Sequence, residues 1–571
     1  LTLAAVFTAC QTSAPSNPPN AAALYSDTGQ DDALPSDAPP VFQDLEVQPL
    51  QGGAPRVPRF EPAATCPFTL PSSLDPATVR CGFVTVRENR FKRDGRTIQL
   101  ATLIVNSRAG NTDPSANIYL QGGPGGDVQG VIGLLGDPNF LQAFAGKNDF
   151  VIFDQRGVGK SLPRLECPTS SDAGARLQAS VNRVRPRAAR PNDPALEAQI
   201  QAGVAAARAC RDALLAKGYD LGAYTTLQNA ADVNDIRRAL GYKSLNLWGG
   251  SYGSYLAQIV MRDYRMAVRS VDLEAIIDPR QNWVALSPIA FDRSRLEVFK
   301  ACAADAACNA AFPNLSQTFD QLIVFLNATK PVLNIPISET QTVPIQVDGD
   351  LYFFLLNQLL YSADFLPFVP IYIAVTARGN YNAFADLISQ VFLGDGTNSQ
   401  GMYNSVTCSD VVQFTSNERI NRILDRVTPA YRNLLGQFPL TQERVCREWG
   451  VRPDPFAVLP VFSDIPTLMQ VGFFDPITPP FYAEAVKRRL LNEQYVFYPA
   501  GAHGASQPFS AQGLCALGIL NAFYANPLQP VNAGCAGAGL TFFVPGAQTQ
   551  SLGGAGFPVP KVEPAPLLPR W

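Results

Sequence analysis

The sequence predicts an α/β chain with a mostly parallel sheet, helices on both faces and an inserted helical cap. Three observations predict it. ANIYL, DFVIFD and SLNLWG are short apolar runs ending in glycine-bearing or charged loops, as buried parallel strands do. Helical segments lie between them, including 195–218 and 231–241, each closed by a glycine. From 281 to 455 the strand runs give way to long apolar helical ones, such as LYFFLLNQLLY and FVPIYIAVTARG.

Taken in order, the chain opens with LTLAAVFTAC, which reads like the end of a signal-peptide apolar region. Phe7-Thr8-Ala9-Cys10 resembles a bacterial lipobox, in which Cys10 is lipidated. The alternative is an ordinary signal peptide whose cysteine has no role. Residues 11–60 are rich in Pro, Ala, Ser, Asp and Asn, too polar to order themselves, and read as a tether. The folded body is expected over 61–280, with GFVTVREN and RTIQLATLIVN as an early antiparallel pair. The helical cap is expected over 281–455. Strand signals return over 456–545 in PTLMQVG and QYVFYPA, and 546–571 reads as a Pro- and Gly-rich extension.

Bulk properties narrow the function. The 571 residues are 46% hydrophobic and 16% charged, with a net charge of −3. That excludes a strongly basic nucleic-acid binder. No apolar run reaches the roughly 18 residues of a membrane span, so membrane contact is expected only through a lipid anchor. Of 11 cysteines, ten remain once Cys10 is set aside. They fall as neighbours: Cys66 with Cys81, Cys167 with Cys210, Cys302 with Cys308, Cys408 with Cys446, and Cys515 with Cys535. Pairing of neighbours is an assumption, but an even set suits disulfides in an oxidising compartment. There is no C-x-x-C pair and only one histidine, so neither metal nor cofactor is expected.

The chemistry is carried by four short stretches. Gly249-Gly250-Ser251-Tyr252-Gly253 fits G-x-S-x-G directly after an apolar strand. That is the pattern of a nucleophile elbow, where strand and helix backbones nearly touch. Downstream, PTLMQVGFFDPITPP ends a strand in a loop bearing Asp475, and QYVFYPAGAHGAS ends another in a loop bearing His503, the only histidine. Serine, acid and histidine in that chain order make the triad of an α/β-hydrolase fold. Ser251 is then the nucleophile, His503 the base and Asp475 its orienting acid. The oxyanion hole is expected from the amides of Tyr252, after the nucleophile, and of Gly123 in YLQGGPGG. Gly157-Val158-Gly159-Lys160-Ser161 imitates the end of a P-loop, but Asp154 stands where that motif needs its first glycine.

In order, IYLQGGPGG, DFVIFDQRGVGKS, YTTLQNAADVNDIRRALG, LNLWGGSYG, GFFDPITPP and AGAHG resemble the α/β-hydrolase-fold serine aminopeptidases. The group they resemble is the secreted tripeptidyl and prolyl aminopeptidases with their characteristic C-terminal region. The resemblance covers roughly 66–540 and implies hydrolysis of peptides from a free N-terminus, with the cap restricting access. Two departures stand out. Gln121 replaces the histidine of the commoner H-G-G-P-G, and Leu273-Glu274-Ala275 stands where many members have L-D-G. An exopeptidase must recognise a protonated amine, which calls for carboxylates near the acyl site. Glu274 and Asp410 are candidates, each equally readable as structural. Two other functions fit the same sequence: a carboxylesterase or lipase using this triad, and a non-catalytic binding lipoprotein. The sequence leaves the oligomeric state open.

Overall fold

The computed structural model describes residues 57–545 apart from 93–94, 111–113, 169–172, 184–193, 339, 394–397 and 507–509. Cys10, most of the expected tether and the expected extension 546–571 lie outside the described residues.

The antiparallel start of the sheet is built from β1 (Arg59–Pro62), β2 (Val79–Arg87) and β3 (Thr97–Val105). Then follow β4 (Ser115–Leu120), β5 (Asp149–Phe153), β6 (Ser244–Gly250) and β7 (Val268–Glu274). A separate antiparallel hairpin is formed by β8 (Val332–Pro336) and β9 (Thr342–Gln346). The last strands are β10 (Thr467–Gly472) and β11 (Glu493–Tyr498). The main sheet has nine strands in the order β1-β2-β3-β5-β4-β6-β7-β10-β11. From β5 to β11 every neighbouring pair is parallel. This is the predicted α/β-hydrolase arrangement, with one strand more at its antiparallel edge. β1 lies at the border of the segment read as tether.

The central strands β4, β5, β6, β7 and β10 are buried on both faces, which is why they read as continuous apolar runs rather than alternating ones. Ile118, Leu120, Leu245, Leu247, Met469 and Val471 pack on one face, against α2 (Thr226–Leu240) and α3 (Tyr252–Asp263). Tyr119, Trp248 and Leu468 point to the other, toward Pro138–Ala145 and α8 (Ala511–Ala525). α2 shows why its sequence begins and ends a helix there. Thr225 caps it by accepting from the Gln228 N–H, and Gly241 closes it at φ 80°. Before it in the chain runs α1 (Pro194–Ala216), joined by Cys210 to Cys167.

Between β7 and β10 the chain leaves the sheet. The insertion includes α4 (Trp283–Ala304), α5 (Gly349–Leu359), α6 (Gln400–Asp410) and α7 (Arg432–Trp449). It is helical as expected except for the β8–β9 hairpin. VLNIP and TVPIQ each carry a proline, which argues against strands in a sheet interior but is tolerated in a two-stranded ribbon made only of edges.

The ten cysteines of the folded body form five disulfides, each between sequence neighbours as assumed. Two, Cys302–Cys308 and Cys408–Cys446, lie inside the insertion. Among the described residues no helix is long and apolar enough to cross a membrane.

Candidate active site

The order of the parallel strands sets the site. The chain goes from β4 out to β5 on one side, while β6 lies on the other side of β4. Open α/β sheets bind ligands beyond the carboxyl end of such a switch point. The loop after β4 carries Gly122 and Gly123, and the turn after β6 carries Ser251.

The spacing of the elbow follows from contact distances. A Cβ on Gly253 would collide with the Leu120 carbonyl oxygen, and one on Gly249 with the carbonyl of Gly253. Only glycine allows strand, turn and helix to meet there. Ser251 itself sits at φ 56°, ψ −125°, a strained conformation for a residue with a side chain. Three contacts hold it. Its N–H donates to the Glu274 carbonyl at 3.1 Å. Its own carbonyl accepts from the Ser254 N–H at 2.9 Å and from Ser254 Oγ at 2.6 Å. A Cβ on Gly122 would stand 3.6 Å from Ser251 Oγ, so the β4 loop lies against the nucleophile.

Tyr252 starts α3, and its ring is fully buried. Its hydroxyl lies 2.8 Å from Thr226 Oγ1 and accepts from Asn229 Nδ2 at 3.1 Å. Asn229 also donates to Gln155 Oε1, and Gln155 Nε2 donates to the Gln121 carbonyl at 2.8 Å. Gly123 adopts φ 114°, in the region that favours glycine. Gln121, the departure from histidine, closes this loop on itself. Its Oε1 accepts from the Gly122 N–H at 2.8 Å and from the Tyr119 hydroxyl at 2.6 Å, while its Nε2 donates to the Asp127 carbonyl.

On the other side, Asp475 and His503 follow β10 and β11. Nδ1 of His503 is 3.0 Å from both Asp475 carboxylate oxygens. A ring nitrogen so placed donates to the carboxylate, and when the ring is neutral Nε2 is the nitrogen left to accept a proton. Asp475 is buried and also accepts the Ile477 and Thr478 N–H groups at 2.8 and 2.7 Å and the Thr478 hydroxyl at 2.6 Å. Burial pushes its carboxyl up, but the His503 charge and these hydrogen bonds outweigh burial and hold it below its ordinary range. The backbone N–H of His503 donates to the Tyr361 carbonyl at 3.0 Å, and the Tyr361 ring stands edge-on to the imidazole at 5.0 Å.

The two carboxylates considered for amine recognition have other occupations. Glu274 is 3% exposed, and both its oxygens are taken. Oε2 accepts from the Ala505 and Ser506 N–H groups at 2.6 and 3.1 Å. Oε1 accepts from Trp248 Nε1 at 3.0 Å, from the Ser506 hydroxyl and from Gln470 Nε2. Glu274 thus holds the histidine loop with its side chain and Ser251 with its carbonyl. Beside it, burial and the charge of Glu274 push the Asp272 carboxyl well above its ordinary range. Asp410 is fully buried behind the elbow, where its Oδ2 accepts from the Thr226 N–H at 3.2 Å. In this structure both carboxylates brace the site, Glu274 with both oxygens and Asp410 with Oδ2.

The P-loop look-alike is also explained. Asp154 accepts the Val128 N–H at 3.0 Å and the Lys160 N–H at 2.7 Å. The Lys160 amide of the look-alike thus holds this carboxylate rather than a phosphate, and burial pushes the carboxyl up to about 7.

Sequence reasoning missed Thr478, Tyr361, Ser506, and the relay from Gln155 through Asn229 to Thr226. Thr478 had a local signal, three residues after Asp475 in DPIT, a turn-capping spacing. Ser506 lies in the His503 loop itself, but its partner Glu274 is far along the chain; the others come from distant segments, and none had a local signal.

Residues 118–307 match the family model of the alpha/beta hydrolase fold. The chain is similar to the tripeptidyl aminopeptidase of Streptomyces lividans, 31% identical over 214 residues, covering 36% of this chain and 37% of that one. It is also similar to the serine protease Hip1 of Mycobacterium tuberculosis, 25% identical over 250 residues, covering 43% and 45% of the two chains. The chain thus spans less than half the length of these curated relatives. By strand order, elbow geometry and the matched family model, this chain has the α/β-hydrolase fold, and over less than half its length it is similar to serine peptidases.

Proposed function

We propose that this chain is an exported serine aminopeptidase that cleaves peptides from a free N-terminus through an acyl-enzyme. The observation that carries the reading is the Asp475–His503 pair, set at the ends of β10 and β11 on the same sheet edge as the strained Ser251. In this reading Nε2 of His503 takes the hydroxyl proton as Ser251 Oγ attacks the acyl carbon. Asp475 keeps Nδ1–H pointed inward and stabilises the cation that forms. The amides of Tyr252 and Gly123 receive the oxyanion, each such donor being worth about 3 kcal/mol in the transition state. The imidazolium then returns its proton to the leaving amine, and water repeats the sequence to release the acyl group.

The similarity to a tripeptidyl aminopeptidase supports the peptidase class. Five disulfides support folding in an oxidising compartment. Lipidation of Cys10 would keep the enzyme at the bacterial envelope, with peptides as its partners.

The experiment is a paired assay of Ala-Ala-Pro-p-nitroanilide, its N-acetylated twin and p-nitrophenyl butyrate, each with a Ser251→Ala control. Cleavage of the free-amine peptide but not its twin is the expected result. Ester turnover alone, lost in the control, would move the enzyme to the carboxylesterases. No turnover of any of the three would favour a binding protein.

A further inference from the structure

Helix α6 touches the site at both its ends. At its start, the Ser399 N–H donates to the Gly125 carbonyl at 2.8 Å, and Asn398 bridges to Gly126 in the glycine loop that holds Gly123. Ser399 Oγ and the Gly401 N–H both donate to the Leu165 carbonyl, at 3.0 Å each. At its end, Asp410 Oδ2 accepts the first N–H of α2, that of Thr226. The Thr226 hydroxyl is in turn hydrogen-bonded to the hydroxyl of Tyr252. The 11 residues of α6 span about 16 Å, with Cys408–Cys446 tying the helix to α7.

We propose that α6 is a strut that fixes the two oxyanion donors relative to each other, and that Asp410 is the positioning residue at its elbow end. This rests on the serine-hydrolase reading above. The placement of Asp410 is otherwise costly. Its Oδ1 is buried without a hydrogen-bond partner, so the carboxylate is only half satisfied. No cation is joined to it by a salt bridge among the described residues; Asp454 lies near, and the rings of Tyr252 and Tyr255 lie within its field. A neutral side chain would sit there at lower cost. Burial pushes the Asp410 carboxyl up to about 7, and charged or neutral its Oδ2 is an acceptor at the start of α2. It holds Thr226 where its hydroxyl meets Tyr252. The insertion, which packs against the site through Ser399 and Tyr361, then shares an element with the groups that stabilise the transition state. A tilt of α6 would be felt as a change in turnover more than in substrate binding.

The test compares Asp410→Ala, Asp410→Asn and Thr226→Val with wild type. The readouts are kcat and KM for the substrate found active, divided by the amount of Ser251 titrated with a fluorophosphonate, plus the melting temperature. The expected result for Asp410→Ala is a fall of about tenfold in kcat per titrated serine with KM nearly constant. Asp410→Asn should recover most of it, because its amide oxygen still accepts from Thr226. If Asp410→Ala does not fold, Thr226→Val cuts the same link at its hydroxyl and should lower kcat per titrated serine in the same direction. A purely structural role would lower the melting temperature and the titratable fraction but leave kcat per titrated serine within about twofold of wild type. That result in the folded variants would overturn the strut. Failure of the underlying reading looks different: wild type itself would take up no label at Ser251.

Discussion

The two halves of the site are held by different physics. On the nucleophile side, backbones approach so closely that no side chain fits, and Ser251 is forced into its strained turn by Gly249, Gly253 and the Leu120 carbonyl. On the acid–base side, the loops are held by buried carboxylates that accept N–H groups: Asp475 within its own turn, and Glu274 from β7 across to Ala505 and Ser506. Contact exclusion is local and leaves a spaced set of glycines. Electrostatic bracing reaches across the fold and leaves single acidic residues that look like any others. Glu274 joins the halves, with its carbonyl on Ser251 and its carboxylate on the histidine loop.

The comparison can be broken from either side. Ser251→Ala should cost the most, about a million-fold in kcat, with the fold intact by melting temperature. Glu274→Gln tests the bracing side. It keeps the shape but cannot accept both loop N–H groups and the Ser506 hydroxyl, so stability should fall by about 2–3 kcal/mol. Its kcat should fall with KM for free-amine substrates unchanged. A raised KM confined to free-amine substrates would make Glu274 an amine-binding group.

Replacing Cys408 and Cys446 with serine removes a cross-link over a separation of 38 residues. The expected loss is about 2–4 kcal/mol, read by denaturant unfolding. Thr478→Val removes one donor to Asp475 and should destabilise by about 2 kcal/mol at neutral pH. Because Asp475 is held below its ordinary range in the folded state, the stability it contributes is complete above about pH 4. It is lost as the pH falls through the folded value. The difference between Thr478→Val and wild type should therefore be full at pH 7 and shrink in acid.

The same contrast explains what could be read from the sequence. The elbow, the strand runs of β4, β5, β6 and β10, and the order Ser251, Asp475, His503 are local patterns, and they stand in the structure at the sheet edge expected for them. The neighbouring cysteine pairs were visible too, since short loops bring their ends together. The β8–β9 hairpin was hidden by its prolines and by the apolar helices around it. The roles of Glu274, Asp410, Tyr361 and Thr226 were hidden for another reason. Each is defined by a partner far along the chain, and no spacing announces it.

In the proposed reaction Ser251 is a nucleophile activated by His503. The most direct measurement is the mass of the purified protein after reaction with a fluorophosphonate, with the modified peptide identified. The account predicts one adduct, on the peptide containing Ser251, absent in Ser251→Ala and formed far more slowly in His503→Ala. An unlabelled wild type, or equal labelling with and without His503, would contradict it.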